Sequence, residues 1–248
     1  MCGICGISVS PTERLDAHTA ATAMLLGIEE RGTHATGIAW WSNEHVCLDK
    51  AAIRASTFVK DMDIPSYSRT FIGHTRWATQ GSPRSNDNNH PIDVGRLIGI
   101  HNGVLANDDD LFAQIGADHR IAQVDSEAIF AWLQHSGLSI EDALPHLSGS
   151  AAIAWLDADT PDVLHLARVA YSPLVIARTT GGSLLFASTA ACLEDTAILT
   201  DVTLEFITPI QEGTHLTVRD GEVLDVTTFQ SGPRRTLTPM ERGALNIA

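Results

Sequence analysis

The first seven residues, Met1-Cys2-Gly3-Ile4-Cys5-Gly6-Ile7, place a cysteine directly after the initiator methionine. Removal of Met1 would leave a thiol and a free α-amine on one residue, Cys2. An N-terminal amine can serve as the base that activates such a nucleophile, and its pKa of roughly 7.7–8.0 lies just below that of a thiol. The apolar run at residues 6–9 predicts a buried strand, so the fold must hold its own terminus in place.

Cys2 and Cys5 also form a lone C-x-x-C pair, which admits other interpretations. A structural zinc site needs a second pair of ligands, and Cys47 and Cys192 are isolated in the sequence. A thioredoxin-like pair follows a strand, whereas this pair precedes one. We therefore expect Cys5 to be a small buried hydrophobe, and we expect no metal and no cofactor. From position alone, an incidental cysteine is the commoner alternative to a catalytic Cys2.

Composition excludes several classes of protein. The 248 residues contain no apolar run long enough to span a membrane, and the N-terminus lacks the basic and apolar regions of a signal peptide. The net charge of −14 argues against direct nucleic-acid binding. Four cysteines without a framework spacing favour reduced thiols. We therefore expect a cytoplasmic protein that binds neither membrane nor nucleic acid.

Hydrophobic periodicity predicts an α+β fold with mostly antiparallel strands. Helices are predicted at residues 15–30, 107–115, 126–134 and 139–147. Strands are predicted at residues 6–9, 37–41, 46–48, 70–74 and 97–100, and only strands are predicted after residue 151. A hairpin turn is expected at Ser42-Asn43-Glu44. The polar loop at 78–91 has a length that is typical of functional loops.

Three stretches offer chemistry at predicted element ends. Arg76 presents a planar fork that suits a carboxylate, although a surface salt bridge is the commoner use of an arginine. Asn102 and Gly103 could give a side-chain amide and a backbone N–H to one oxygen, as an oxyanion hole requires. A type I′ turn at this Asn-Gly pair is the favoured alternative. In Asp125-Ser126-Glu127, an Asp or Ser N-cap is compatible with a functional Asp125.

Taken in order, short pieces of the chain resemble the class II glutamine amidotransferases, whose nucleophile is the N-terminal residue. The resemblance is greatest to the amino-terminal half of glucosamine-6-phosphate synthase, and it covers about residues 2–228. The matching pieces are Met1-Cys2-Gly3-Ile4, Arg31-Gly32 with Gly37, residues 73–79, Asn89-His90-Pro91, His101-Asn102-Gly103, Asp125-Ser126-Glu127, Ser172-Pro173-Leu174-Val175 and Ala187-Ser188. Each piece is weak alone, but the ordered set is specific.

The resemblance implies a four-layer α-β-β-α sandwich, with Cys2 at a strand end between two antiparallel sheets. It implies hydrolysis of the side-chain amide of L-glutamine to glutamate and ammonia. Cys2 is then the nucleophile and its α-amine the general base, while Asn102 and Gly103 form the oxyanion hole. The implied domain covers residues 1–228 and is followed by a C-terminal tail at 229–248.

The resemblance also implies how glutamine is held. Arg76 binds the α-carboxylate of the substrate, and Asp125 pairs with its α-ammonium. Trp77 and Thr79 belong to a loop that closes over bound glutamine, which would exclude water from the site.

Two stretches depart from glucosamine-6-phosphate synthase: Gln80 replaces a histidine, and Thr33-His34-Ala35-Thr36 replaces Tyr-Asp-Ser-Ala. The sequence also lacks the sugar-phosphate isomerase half. We therefore expect a glutaminase subunit that passes ammonia to a separate synthase. One alternative is a stand-alone hydrolase of a γ-glutamyl amide in a biosynthetic pathway. Another is a non-catalytic protein that retains the fold, which the intact site residues disfavour.

Overall fold

The computed structural model describes residues 1–42 and 45–231. The strands in this part of the chain are β1 (Gly3–Ser8), β2 (Ala35–Ser42), β3 (His45–Ala51), β4 (Thr70–Arg76), β5 (Ile92–Asp93), β6 (Leu97–Leu105), β7 (Gly149–Asp157), β8 (Thr160–Ala170), β9 (Val175–Thr179), β10 (Leu184–Ala187), β11 (Leu204–Pro209), β12 (Thr214–Arg219) and β13 (Glu222–Thr228). The α-helices are α1 (Ala17–Gly27), α2 (Ala55–Phe58), α3 (Asp108–Ile115), α4 (Asp125–His135), α5 (Ile140–Ala143) and α6 (Ala190–Leu199).

The strands pair into two antiparallel sheets. One has the order β11-β9-β10-β1-β4-β2-β3, and the other has the order β13-β12-β8-β7-β6-β5. One apolar core lies between the first sheet and helices α1, α2 and α6, and a second lies between the other sheet and helices α3 to α5. A third core fills the space between the sheets. This arrangement confirms the predicted four-layer α-β-β-α sandwich.

Strand β1 carries the N-terminus and lies in the sheet between β4 and β10. Side chains alternate across a strand, so Cys5 packs against the helices while Ile4 lies between the sheets. Cys2 has the parity of Ile4 and therefore faces the space between the sheets. On β4, Ile72 also lies between the sheets, and Arg76 has the same parity. The two side chains thus reach one end of the same interlayer.

Strand β6 runs further than the sequence predicted. Asn102 pairs with Ala152 of β7, and Gly103 pairs with Ala151. The favoured type I′ turn at this Asn-Gly pair is therefore wrong, because both residues lie inside a paired strand. Pairing with β7 overrides the local preference of Asn-Gly for a turn.

Other local predictions also need correction. The N-cap of α4 is Val124, so neither Asp125 nor Ser126 caps this helix. Helix α6 lies in the segment where only strands were predicted, and the short helix α2 was not predicted. The turn residues Asn43 and Glu44 lie outside the described residues.

The tail lies mostly outside the part of the chain that the structure describes, so the division at residue 228 stays a prediction. Within the described residues, no helix has the length and the apolar character that crossing a membrane requires.

Candidate active site

The start of β1 and the ends of β4 and β6 meet at one open pocket, whose space of about 270 Å³ includes part of the surrounding solvent. Its lining residues are Cys2, Arg76, Trp77, Thr79, Gln80, His90, His101, Gly103, Val124, Asp125 and Ser126. Six of the seven predicted site residues are among them. The exception is Asn102, which directly precedes Gly103 in β6. The fold therefore brings together side chains that are far apart in the sequence.

The sulfur of Cys2 contacts the backbone of the loop that follows β4. The Trp77 N–H donates to Cys2 Sγ at 3.4 Å. Burial raises the pKa of the Cys2 thiol, and the hydrogen bond from Trp77 opposes this only in part. The thiol therefore needs a base close to it in order to act as a nucleophile.

The chain terminus carries the amine that could supply this base. With Met1 attached, the α-amine belongs to Met1, and the nitrogen of Cys2 is part of a peptide bond. Burial lowers the pKa of the Met1 amine, which favours its neutral, basic form. We expect the same surroundings to act on the amine of Cys2 once Met1 is removed.

Arg31 and Gly32 contact the backbones of Cys2 and Arg76, respectively. They form one of the matching pieces of the sequence, and no role was predicted for them. Arg31 Nε donates to the carbonyl oxygen of Cys2 at 2.9 Å. A Cβ on Gly32 would lie 2.4 Å from the carbonyl carbon of Arg76, so a larger residue would push the end of β4 away. This segment therefore contacts both Cys2 and Arg76.

His34, in one of the two departing stretches, supports the loop. Its Nδ1 accepts a hydrogen bond from the Ala78 N–H at 3.0 Å. Its ring stacks on Trp77, with 4.8 Å between ring centroids. Trp77 is 48% exposed, and Thr79 and Gln80 are also exposed. The loop thus forms the mouth of the pocket, and His34 fixes where it begins.

Arg76 is only 3% exposed, and its guanidinium is bound by its own loop. Nη1 donates to Asn89 Oδ1 at 2.8 Å, while Nη2 donates to the carbonyl oxygen of Gly81 at 3.0 Å and to that of Gln80. The sequence predicted a fork whose donors serve a carboxylate, whereas part of this fork shapes the loop. A buried guanidinium requires such partners for its N–H groups.

Asp125 lines the pocket from the first turn of α4. Its Oδ2 accepts the Leu105 N–H at 2.6 Å, which ties α4 to the end of β6. A carboxylate has about four acceptor positions, so this bond leaves capacity for a substrate ammonium. Glu127 accepts the N–H groups of Ile121 and Ala122, and it therefore holds the segment that leads into α4.

Asn102 and Gly103 have the properties that an oxyanion hole needs. Asn102 is 1% exposed, and its Nδ2 has no hydrogen-bond partner among the described residues. Gly103 has a φ of +150°, and a Cβ there would lie 1.9 Å from the Ser150 carbonyl oxygen. Glycine is therefore required at this position. The buried, unpaired amide of Asn102 is therefore adjacent to Gly103, which lines the pocket.

Three buried histidines, His74, His90 and His101, lie beside the pocket, and none of them was predicted as a site residue. His101 Nε2 donates to the Ser150 carbonyl oxygen at 3.2 Å, so its Nδ1 accepts the Ser126 hydroxyl at 2.9 Å. His74 Nε2 donates to the His101 carbonyl oxygen at 3.1 Å. Burial lowers the pKa of all three imidazoles, to about 3 for His74, which keeps them neutral.

All three histidines lie in pieces of the sequence that resemble the family. Nothing in the sequence indicates which groups they contact. In residues 1–42 and 45–231, no group of three or more His, Cys, Asp or Glu side chains is arranged to hold a metal ion.

Comparison with known proteins identifies the family. A model of the glutamine amidotransferase domain matches residues 74–195. Glutamine–fructose-6-phosphate aminotransferase [isomerizing] from Oceanobacillus iheyensis is 31% identical over 209 residues, which are 79% of this chain and 33% of that protein. The enzyme of the same name from Shouchella clausii is 33% identical over 185 residues, or 71% and 30%. The chain thus spans about a third of the length of these curated relatives.

Solved structures share the fold. Glutamine phosphoribosylpyrophosphate amidotransferase from B. subtilis superposes with a TM-score of 0.75 at 21% identity, over 92% of this chain and 49% of that one. A glutamine aminotransferase class-II domain protein from Silicibacter pomeroyi gives 0.53 at 15% identity, over 92% and 99%. The matched domain, the curated relatives and the two-sheet fold agree with one another. The chain belongs to the class II glutamine amidotransferases, the N-terminal-nucleophile type.

Proposed function

We propose that this protein hydrolyses the side-chain amide of L-glutamine to L-glutamate and ammonia, with Cys2 as the nucleophile. The observation that carries the proposal is the set of groups around one pocket. The Cys2 thiol suits attack on the amide carbon. The Arg76 guanidinium suits the α-carboxylate of the substrate, and the Asp125 carboxylate suits its α-ammonium. Each charged part of glutamine therefore has a complementary partner.

In the first step, the sulfur of Cys2 bonds to the amide carbon, and the thiol proton passes to the α-amine of Cys2. The carbonyl oxygen becomes an oxyanion that accepts hydrogen bonds from Asn102 Nδ2 and the Gly103 N–H. Collapse of this intermediate breaks the C–N bond, and the α-ammonium gives its proton to the departing nitrogen, which leaves as ammonia. Water then attacks the γ-glutamyl thioester with the amine as base, which restores the thiol and releases glutamate.

We also propose that Trp77 and Thr79 cover the bound substrate. Their loop forms the pocket mouth, and the Trp77 N–H already contacts the Cys2 sulfur. A loop over the substrate would exclude water and strengthen the hydrogen bonds at the oxyanion.

We also propose that a separate synthase uses the ammonia, at an acceptor site that is not part of the described residues. The curated relatives name fructose 6-phosphate as a second substrate, and this chain matches 33% and 30% of their lengths. Co-purification followed by glutaminase assays of each candidate pair would identify the acceptor. A candidate that does not bind this protein, or that does not consume the ammonia, is not the acceptor.

Glutamate release from L-glutamine by the purified protein tests the activity, with the N-terminus checked by mass spectrometry. We expect turnover by protein that begins at Cys2 and none by Cys2→Ala. A panel of γ-glutamyl amides in the same assay tests the alternative substrate class. Faster cleavage of a substituted amide than of glutamine would favour the stand-alone hydrolase, and no cleavage of any amide would refute both.

A further inference from the structure

Asn89 is the buried polar residue that holds the guanidinium of Arg76. It is 0% exposed, and its Oδ1 accepts a hydrogen bond from Arg76 Nη1 at 2.8 Å. Its Nδ2 donates to the carbonyl oxygen of Pro83 at 2.8 Å and to Asn86 Oδ1 at 3.0 Å. Because the Pro83 carbonyl oxygen can only accept, the amide of Asn89 has one orientation, with its oxygen towards Arg76.

The backbone of Asn89 is fixed as well. Lys50 Nζ, on β3, donates to the carbonyl oxygen of Asn89 at 2.8 Å. The Asn89 N–H donates to the carbonyl oxygen of Asn86 at 3.0 Å, and Asn86 Nδ2 donates to the carbonyl oxygen of Lys50 at 3.1 Å. A side chain that is held in this way can orient Arg76 before any substrate binds.

The charge of Arg76 has no counter-ion among the described residues. Its hydrogen-bond partners are all neutral, namely the amide oxygen of Asn89 and the carbonyl oxygens of Gln80 and Gly81. None of the ion pairs in residues 1–42 and 45–231 includes Arg76, although Asp125 lines the same pocket. A guanidinium that is only 3% exposed normally pairs with an anion. The α-carboxylate that the proposed function brings to Arg76 would be that anion.

We propose that Asn89 is a positioning residue that determines the preference of the site for a substrate with an α-carboxylate. Its neutral amide orients the Arg76 guanidinium without cancelling its charge, so that charge stays available to the substrate. An aspartate in the same place would also accept from Arg76, but it would form an ion pair there and compete with the substrate. The inference rests on the proposed function, since the ligand is L-glutamine.

Two variants of Asn89 separate the effect of charge from the loss of hydrogen bonds. In Asn89→Asp the new carboxylate pairs with Arg76, so we expect the KM for L-glutamine to rise roughly 100-fold. Asn89→Leu removes the amide without adding a charge, and it should raise the KM by about 10-fold. In both variants kcat should change little, because the reacting amide lies at the other end of the substrate. Both should have a lower melting temperature, because the bonds of Nδ2 are lost.

Asn88→Asp is the matched control. Asn88 is 2% exposed, but its Oδ1 accepts the Gln123 N–H at 2.8 Å and its Nδ2 donates to the Ser82 carbonyl oxygen at 3.0 Å, so its amide does not contact Arg76. This variant should lose stability and keep a KM close to that of the wild-type protein. Equal rises of KM in Asn89→Asp and Asn88→Asp would overturn the proposal. So would equal rises in Asn89→Asp and Asn89→Leu, since the charge would then have no effect.

The compound 4-aminobutanamide, which is L-glutamine without its α-carboxylate, tests whether the effect depends on that carboxylate. Its inhibition constant against glutamine hydrolysis should be nearly the same in the wild-type protein, in both Asn89 variants and in Asn88→Asp. A rise of this constant in Asn89→Asp that matches the rise of the KM for L-glutamine would show that Asn89 shapes the pocket as a whole. That result would overturn the assignment.

Calorimetric binding of L-glutamine to Cys2→Ala protein separates this inference from the proposed function. We expect the Kd to rise in Cys2→Ala/Asn89→Asp by about the same factor as the KM. If the wild-type protein turned over no glutamine, the proposed function would fail and the binding measurement would still decide. Weaker binding by the double variant would support the role of Asn89. Equal binding, or no binding of L-glutamine by Cys2→Ala protein, would overturn it.

Discussion

Arg31 donates a hydrogen bond from Nε to the carbonyl oxygen of Cys2 at 2.9 Å, across 29 positions of sequence. Burial lowers the pKa of Arg31, but a guanidinium stays protonated in proteins. The bond is therefore charge-assisted, and it fixes the backbone of the residue that carries the thiol. The position of the proposed nucleophile thus depends on a residue outside β1.

We expect Arg31→Ala to lower kcat for glutamine by roughly 10- to 100-fold, because a hydrogen bond from a charged group contributes about 1.5–3 kcal/mol. Arg31→Lys should retain part of the rate, since an ammonium can donate to the same oxygen. Arg54→Ala is the control, because Arg54 has a 56% exposed side chain in an ion pair with Glu29. Steady-state kinetics that show equal losses for Arg31→Ala and Arg54→Ala would contradict the positioning role.

Blocking the terminus should abolish glutaminase activity without unfolding the protein. A variant whose extended N-terminus stays attached has no α-amine on Cys2, so the thiol loses its proposed base. Its melting temperature should be close to that of the processed protein. Full activity in protein that mass spectrometry shows to carry Met1 would exclude the amine as the base.

The processed protein should also show a characteristic pH profile. The base acts only when deprotonated, so kcat/KM should rise with pH through the pKa of the amine. An unperturbed α-amine has a pKa of roughly 7.7–8.0, and burial lowers that of the amine at this terminus. The midpoint is therefore expected below the unperturbed range, and a flat profile would argue against this assignment.

Asn102→Ala should lower kcat by roughly 10²- to 10³-fold while changing KM little, because an oxyanion donor acts mainly in the transition state. Asn107→Ala is the control, since the Asn107 amide bonds the His146 carbonyl oxygen and the Ser148 N–H outside the pocket. That variant should lose stability and keep its kcat. If Asn102→Ala changed only KM, the oxyanion role would have to be abandoned.

Buried neutral histidines should make the fold sensitive to acid. Burial, with a smaller contribution from His215, lowers the pKa of His165 to about 3. The unfolded chain, with a histidine pKa near ~6.5, then binds more protons than the folded chain as the pH falls. This contribution to stability is present above about pH 6.5 and is lost as the pH falls towards 3.

His165→Phe tests this point by urea unfolding at pH 7 and pH 4. The free energy of unfolding of the wild-type protein should fall by up to about 3 kcal/mol more than that of the variant. All carboxylates are the same in both proteins, so the difference reports His165 together with its hydrogen-bonded neighbour His215. Parallel losses of stability would show that His165 does not titrate as described.

Local sequence signals were enough to predict where Cys2 lies in the fold. Cys2 follows the initiator methionine, and alternation along β1 gives the face on which its thiol lies. The roles of Asn102-Gly103 and Asp125 were harder to separate from turn and cap propensity. Pairing with β7 places the first two inside a strand, and the carboxylate of Asp125 bonds the N–H of Leu105 instead of capping α4. Such partners are not encoded in neighbouring residues.

Helix α6 was missed because its apolar residues do not form one stripe. Cys192 and Leu193 are buried, whereas Ile198 is 77% exposed and Leu199 is 63% exposed. Periodicity detects a helix only when its buried residues share a face. His90 was not predicted for another reason. Its ring nitrogens have no hydrogen-bond partner among the described residues, which can be seen only when the neighbouring residues are placed.

Two contacts join His34 to the loop at the pocket mouth. His34→Phe keeps a ring that can stack on Trp77 but removes the Nδ1 that accepts the Ala78 N–H. His34→Ala removes both contacts. A hydrogen bond contributes about 0.5–1.5 kcal/mol and an aromatic pair about the same, so the loop should be less fixed in Phe and least fixed in Ala.

We expect hydrogen exchange of the Ala78 amide to be faster in both His34 variants than in the wild-type protein, since its acceptor is gone. The KM for glutamine should rise about 2- to 10-fold in His34→Phe and further in His34→Ala, because binding must then order a looser loop. His119→Phe is the control, since His119 stacks on His135 with 4.0 Å between centroids and does not line the pocket. Unchanged exchange at Ala78 together with wild-type kinetics in His34→Ala would show that His34 does not hold this loop.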